Sequence, residues 1–197
     1  MDNNLKIYNS DASLYAFKFN KFNRKQDIDQ IFSLCKKNKP RVLELGCANG
    51  RDAKEILQLT PDYIGVDGAE KLLDIAKHEM PEANFILSDF RDLKFDKKSF
   101  DIIIDFDSLF HFEKNDLKKM LDNIYQWLDD DGLFLMGAKC GNYQKIVNPE
   151  QSGKVQYLYE PQDIIDLSEG KFDLVFEEIR NRYDKDWYLI ILKKVNR

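Results

Sequence analysis

The chain has 197 residues, 43% of them hydrophobic, which is enough for one domain with a substantial core and too little for two. Thirty Lys and Arg against 35 Asp and Glu leave a net charge of -5 and a pI near 5.2, so no overall field draws the chain to nucleic acid or anionic lipid. The opening MDNNLKIYNS lacks the order of a signal peptide, the longest apolar run (Trp187 to Leu192) is far short of a membrane span, and Cys35, Cys47 and Cys140 suit neither a disulfide framework nor a paired-ligand zinc site. These features lead us to expect a soluble, cytoplasmic protein with free thiols and no metal.

From Ser10 to about Asn38, Leu14, Phe17, Ile28, Ile31, Phe32 and Cys35 recur at roughly helical spacing with a break near Asn20 to Asn23, which predicts two N-terminal helices. RVLEL, bounded by Pro40 and Gly46, predicts a strand. GRDAKEILQL predicts a helix with Ala53, Ile56, Leu57 and Leu59 on one face. The alternation continues with strand YIGVD, helix AEKLLDIAKHEM, strands ANFILSD and SFDIIIDF, helix KNDLKKMLDNIYQWL and strand GLFLMGAK. A polar loop is expected from Cys140 to about Val155, then a helix near Pro161 to Ser168. FDLVFEEIRNRY and DWYLIILKKV close the chain as a hairpin turning through Asp184 and Lys185. Alternating strands and helices imply an α/β, doubly wound, mostly parallel sheet with an antiparallel terminal hairpin, whose ligands sit at the carboxyl ends of the strands. No repeat or linker divides it.

At the first strand end, a dinucleotide fingerprint would need glycines where Gly46, Ala48 and Arg51 stand, so two of three positions fail. Glu44 also puts a carboxylate close to where a pyrophosphate would lie. A cationic, phosphate-free ligand such as S-adenosylmethionine (SAM) reverses that objection; the plain alternative is a tightly packed turn. Asp67 ends the second strand 21 positions after Gly46, the spacing at which an acid accepts ribose hydroxyls, and Gly68 leaves room for a sugar; a helix N-cap is the other reading. Asp89 and Phe90 follow the third strand, where a carboxylate can take an adenine amino group and a ring can cover the base, or where a turn simply falls.

With these stretches in hand, the sequence resembles the class I SAM-dependent methyltransferases over most of its length. VLELGCANG, YIGVDGAEKLLDIA, ILSDF and SFDIIIDFDSLFHF are similar to that family's first four motifs, and GRDA, VDGA, SLFHF and DWYLIIL are most like small bacterial stand-alone members acting on small molecules. The resemblance implies a Rossmann-like sheet of seven strands ordered 3-2-1-4-5-7-6, with SAM as cofactor. It implies Glu44, Gly46 and Gly50 along the methionine part, Asp67 on the ribose, Asp89 and Phe90 at adenine, and Asp105 and Phe106 nearest the sulfonium. Ala48 departs from the family's glycine and would crowd the cofactor or displace the turn.

Methyl transfer from a sulfonium is an in-line displacement served mainly by positioning, and a base is needed only when the acceptor must lose a proton. His111, following the fourth strand, is the candidate base, with a packing or capping histidine as the alternative; His78 is expected to face solvent. Asp107 either orients an acceptor or caps the turn with Ser108. Residues 1–38 are expected to form a helical lid, with Tyr8, Tyr15, Phe19 and Phe22 covering the cofactor or packing the first helix, and 39–197 the Rossmann-like core of a single domain. The loop around Tyr143 is a second lid candidate, its aromatic faces suited to a cationic substrate. Lys36, Lys37 and Lys39 read as a solvated helix end. The expected partner is a small-molecule acceptor; membrane is excluded, nucleic acid is disfavoured by the acidic composition, and oligomeric state is open. A nucleic-acid or protein methyltransferase and a non-catalytic SAM-binding protein are the rivals; an NAD-linked oxidoreductase needs the glycines missing at 48 and 51.

Overall fold

The computed structural model describes residues 3–182 and 185–196. Among them, a seven-stranded sheet holds β1 (Val42–Leu45), β2 (Tyr63–Asp67), β3 (Asn84–Leu87), β4 (Phe100–Phe106), β5 (Leu128–Lys139), β8 (Phe172–Arg182) and β9 (Lys185–Lys194) in the order β3-β2-β1-β4-β5-β9-β8. The first five pair in parallel, and β9 pairs antiparallel with β5 and with β8. This is the expected α/β, Rossmann-like, doubly wound sheet. The order reverses between β1 and β4, so a crevice opens above their carboxyl ends. β8 and β9 form the expected hairpin, with Arg182 opposite Lys185; Asp184, named for its turn, lies outside the described residues.

Both faces of the sheet are covered, which explains why β1 and β4 are apolar almost without alternation. Val42, Ile102 and Ile104 face α3 (Lys25–Leu34), α4 (Ala53–Leu59) and α5 (Glu70–Glu79) through Ile28, Ile31, Ile56 and Ala76. Leu43, Leu45 and Ile103 face α6 (Lys114–Trp127) and α7 (Pro161–Leu167) through Leu117, Leu121, Ile124 and Ile164. Each fully buried Ile or Leu of these layers contributes roughly 1.5–3 kcal/mol of transfer free energy.

The two helices expected between Ser10 and about Asn38 form on either side of the break as α2 (Ala12–Phe19) and α3, and one that the sequence reading missed, α1 (Asn3–Ser10), precedes them. α3 belongs to a helical layer, with Ile28 and Ile31 fully buried, so only α1 and α2 lie over the crevice. α1 eludes periodicity because only Asn4 and Ile7 are buried along it. Leu14 and Phe17 are exposed, as is Leu59 at the end of α4. The segment expected as a polar loop contains an antiparallel pair, β6 (Gln144–Asn148) and β7 (Lys154–Leu158). α1 clamps this pair, since the Asn4 amide exchanges hydrogen bonds with the backbone of Val155, Nδ2 donating to O at 2.9 Å and N donating to Oδ1 at 2.8 Å. No helix among the described residues is long and apolar enough to cross a membrane.

Candidate active site

A cavity of about 240 Å³ opens at the sheet's switch point, floored by the turns after β1, β2, β3 and β4 and roofed by α1, α2 and β7. Its floor begins at the turn after β1. Gly46 and Gly50 adopt φ of 75°, a region open to glycine, and a Cβ at Gly46 would lie 2.4 Å from Ser108 Cβ. The turn therefore closes directly on the segment after β4. Ala48 occupies the left-handed region with φ of 48°, so the departure from glycine leaves the turn in place at the expense of local strain.

The turn has no phosphate cradle. The N–H groups of Gly46 and Cys47 donate to Val66 O, that of Ala48 to Asp67 Oδ2, and that of Gly50 to Cys47 O. Buried acceptors are what it offers: Asn49 Oδ1 and Asp107 Oδ1 border the cavity with no hydrogen-bond donor. A ligand rich in donors, carrying ammonium and hydroxyl groups, satisfies such atoms, and an acceptor-only pyrophosphate does not. The cradle thus fits SAM.

Glu44 is a correction to the sequence argument. It shares the face of Val42, away from the cavity, and accepts a 2.5 Å hydrogen bond from the Tyr63 hydroxyl. Burial, and secondarily Asp52, pushes its carboxyl up to about 8, so at neutral pH it lacks the full charge on which the argument against phosphate relied. Gly50 and Asp105 also lie off the cavity wall. Gly50 packs on α5, where an added Cβ would meet Met80 Cε at 2.3 Å. Asp105 is fully buried behind the β4 turn, accepting from the Ser108 hydroxyl and from Leu109 N, and burial raises it to about 7.

Gly46, Asp67, Gly68, Asp89, Phe90, Phe106 and His111 all border the cavity. Asp67 accepts from Ala48 N at 2.9 Å and from Ala69 N at 2.7 Å, so it braces the first turn and leads into α5, and each of its oxygens has capacity for a further donor. Burial raises its carboxyl against these N–H groups. Beside it, a Cβ on Gly68 would meet Leu5 of α1 at 2.8 Å, so the glycine makes room for the roof. Asp89 carries a two-pronged ion pair from Arg91, Nε at 2.9 Å and Nη2 at 2.8 Å, which holds it below the usual carboxylate range. Phe90 forms a wall with Phe112, ring centres 6.2 Å apart.

His111 is wired at both nitrogens. Nδ1 lies 2.6 Å from Val155 O, which assigns it the proton, and Nε2 then accepts from the Tyr8 hydroxyl at 3.0 Å. Burial pushes the Tyr8 hydroxyl well above its ordinary range, keeping it a donor, and Lys154 Nζ reaches its oxygen at 3.2 Å. Phe19 and Phe22 border the cavity and Tyr15 stacks edge-on against Tyr8, centres 4.6 Å apart. Tyr143 stays outside, stacked on Tyr157 with Lys114 over its ring.

Sequence reasoning did not single out Arg24, Lys139, Lys154 or Trp187. Arg24 is buried and donates to Asp107 Oδ2 at 2.7 Å while lying over the Phe106 ring. Asp27 joins it to Arg180 of β8. Lys139 and Trp187 face each other across the β5–β9 ladder, and both lay within strands read from sequence. Lys154 had no signal, being inside the segment taken for a loop. Among the described residues no cluster suits a metal ion.

Residues 42–132 match the family model described as a methyltransferase domain. Among curated proteins, the malonyl-[acyl-carrier protein] O-methyltransferase of Bacillus cereus is 32% identical over 102 residues, 50% of this chain and 37% of that protein. The chain spans less than half the length of the curated relatives it matches. Two solved structures share the fold. A 1,6-didemethyltoxoflavin N1-methyltransferase of Burkholderia thailandensis, holding that compound and S-adenosylhomocysteine, has a TM-score of 0.78 at 15% identity over 98% of this chain and 85% of its own. An S-adenosylmethionine-dependent methyltransferase of Clostridium acetobutylicum has a TM-score of 0.74 at 16% identity over 96% and 99%. Residues 42–132 thus carry a methyltransferase domain, set in a sheet whose order, β3-β2-β1-β4-β5-β9-β8, is the one that the resemblance to class I SAM-dependent methyltransferases implies.

Proposed function

We propose that the protein transfers a methyl group from SAM to a small-molecule acceptor, mainly by positioning the two. The observation that carries this reading is the pair of donor-less buried acceptors, Asn49 Oδ1 and Asp107 Oδ1, beside a turn in which the N–H groups of Gly46, Cys47, Ala48 and Gly50 are already engaged. SAM supplies an activated methyl group on a cationic sulfur, so the protein needs no nucleophile of its own. Gly46 and Asn49 border the methionine part, Asp67 accepts from the ribose hydroxyls, and Phe90 covers the base. Asp107, rather than Asp105, is the carboxylate nearest the reacting side, and Arg24 fixes its orientation.

An acceptor held in the remaining space, under α1 and α2, presents its nucleophile in line with the methyl–sulfur bond. Where that nucleophile carries a proton, the proton passes to the Tyr8 oxygen as the Tyr8 proton passes to His111 Nε2. A new bond to the methyl carbon forms as the sulfur takes back its electron pair. α1 and α2 exclude water from the space.

The size of the cavity, about 240 Å³, supports a small acceptor, and the net charge of -5 argues against a nucleic-acid substrate. Incubation with methyl-labelled SAM and a metabolite panel tests the reading. Label is expected to move to a small molecule with the natural chain and not with Asp67→Ala. Binding of SAM with no transfer to any acceptor class would leave the non-catalytic alternative in its place.

A further inference from the structure

The carboxylates lining the cavity are all engaged, whereas neither of its two lysines is paired with a carboxylate. Asp52 is paired with Arg51, Asp89 with Arg91 and Asp107 with Arg24, while Asp67 accepts two backbone N–H groups. Lys139 at the end of β5 and Lys154 at the start of β7 have no carboxylate within ion-pair distance among the described residues. Lys139 Nζ lies over the Trp187 ring at 5.6 Å, and Lys154 Nζ lies over Tyr8 at 5.0 Å and Tyr15 at 5.4 Å. The faces of Trp187, Tyr8 and Tyr15 are therefore covered by the protein's own ammonium groups. Burial lowers both lysines, with repulsion from Lys185 adding to it at Lys139 and repulsion from Lys139 and Lys18 at Lys154, which falls to about 8, an arrangement that a bound anion relieves. A third donor stands with them: Trp187 Nε1 borders the same cavity, buried and without an acceptor.

We infer that Lys139, Lys154 and the Trp187 indole N–H anchor a carboxylate carried by the methyl acceptor. Calling the ligand an acceptor rests on the methyltransferase reading; the anion site stands on these three side chains alone. The charge count selects a carboxylate over a phosphate. Arg24 balances Asp107, Arg51 balances Asp52 and Arg91 balances Asp89, so of the two ammonium groups one offsets Asp67 and one is left for a single further negative charge, not two.

The indole ¹H–¹⁵N signal of Trp187 tests this, distinguished from that of Trp127, the other tryptophan, by its loss in Trp187→Phe. Benzoate is the probe and benzamide its neutral counterpart, each titrated with and without S-adenosylhomocysteine. Benzoate is expected to shift the signal saturably and to bind at least about tenfold more tightly than benzamide. Lys139→Met and Lys154→Met, checked for folding by thermal unfolding, are each expected to weaken benzoate by about tenfold or more. No shift with benzoate, equal binding of acid and amide, or tighter binding of inorganic phosphate would overturn the inference. Charge-selective benzoate binding without any binding of S-adenosylhomocysteine would keep the anion site and remove the methyltransferase reading. The reverse result would remove the anion site alone.

Discussion

The Tyr8 hydroxyl donates to His111 Nε2 across 3.0 Å, joining the first helix to the turn after β4 over 103 positions of sequence. The bond ties roof to floor at the point where an acceptor's proton must leave. His111→Gln is accordingly expected to lower kcat by about 10²-fold or more, the scale of a lost general base, with KM for SAM little changed. A packing histidine predicts an unchanged kcat in a folded variant.

Arg24 sits between two acids, its guanidinium 2.7 Å from Asp107 and 3.4 Å from Asp27, with 6% of its surface exposed. Arg24→Met removes the partner of half-buried Asp107 and one of the two partners of buried Asp27, and the expected loss of stability is about 1.5–3 kcal/mol by urea unfolding. A change under about 1 kcal/mol would show that the ion pair is not structural.

Two buried acids make stability depend on pH in an unusual direction. Burial raises Glu44 from 4.5 to about 8 and Asp105 from 3.8 to about 7. The unfolded chain gives up both protons first, so each contribution is fully present below the unfolded value and is lost as pH rises toward the folded one. The thermal midpoint of the ligand-free protein is expected to fall between pH 5 and pH 8, and Glu44→Gln to flatten that decline. A midpoint rising across this interval would contradict the assignment.

The same residue marks where sequence reading stops. The strand VLEL and its glycines were legible because a short apolar run before a tight turn has few other uses. The facing of Glu44 was not, because a parallel strand buried on both sides has no polar alternation to reveal which way a carboxylate points. His111, Asp67 and Phe90 follow strands that the sequence marks clearly, and all border the cavity. β7, which carries Lys154, follows a glycine-interrupted polar stretch without alternation, and its pairing with β6 is a tertiary outcome. The wall that carries Lys154 was therefore invisible, while the turns after β1 to β4 were readable.

Ala48 is the departure from the family pattern, and its φ of 48° gives it a measurable signature. Left-handed backbone costs a non-glycine residue roughly 1–2 kcal/mol, of which the extra freedom of glycine in the unfolded chain offsets about 0.4–1. Ala48→Gly is expected to stabilise the protein by about 1 kcal/mol or less in urea unfolding. Destabilisation would mean that the alanine methyl packs to advantage.

Calorimetric titration of the protein with SAM and with S-adenosylhomocysteine tests the central claim most directly. The account predicts saturable binding of both at one site per chain, weakened about tenfold or more by Asp67→Ala, which removes the charged acceptor of the ribose hydroxyls. No heat from either ligand at high protein concentration, at two temperatures so that a zero enthalpy is not mistaken for no binding, would contradict it.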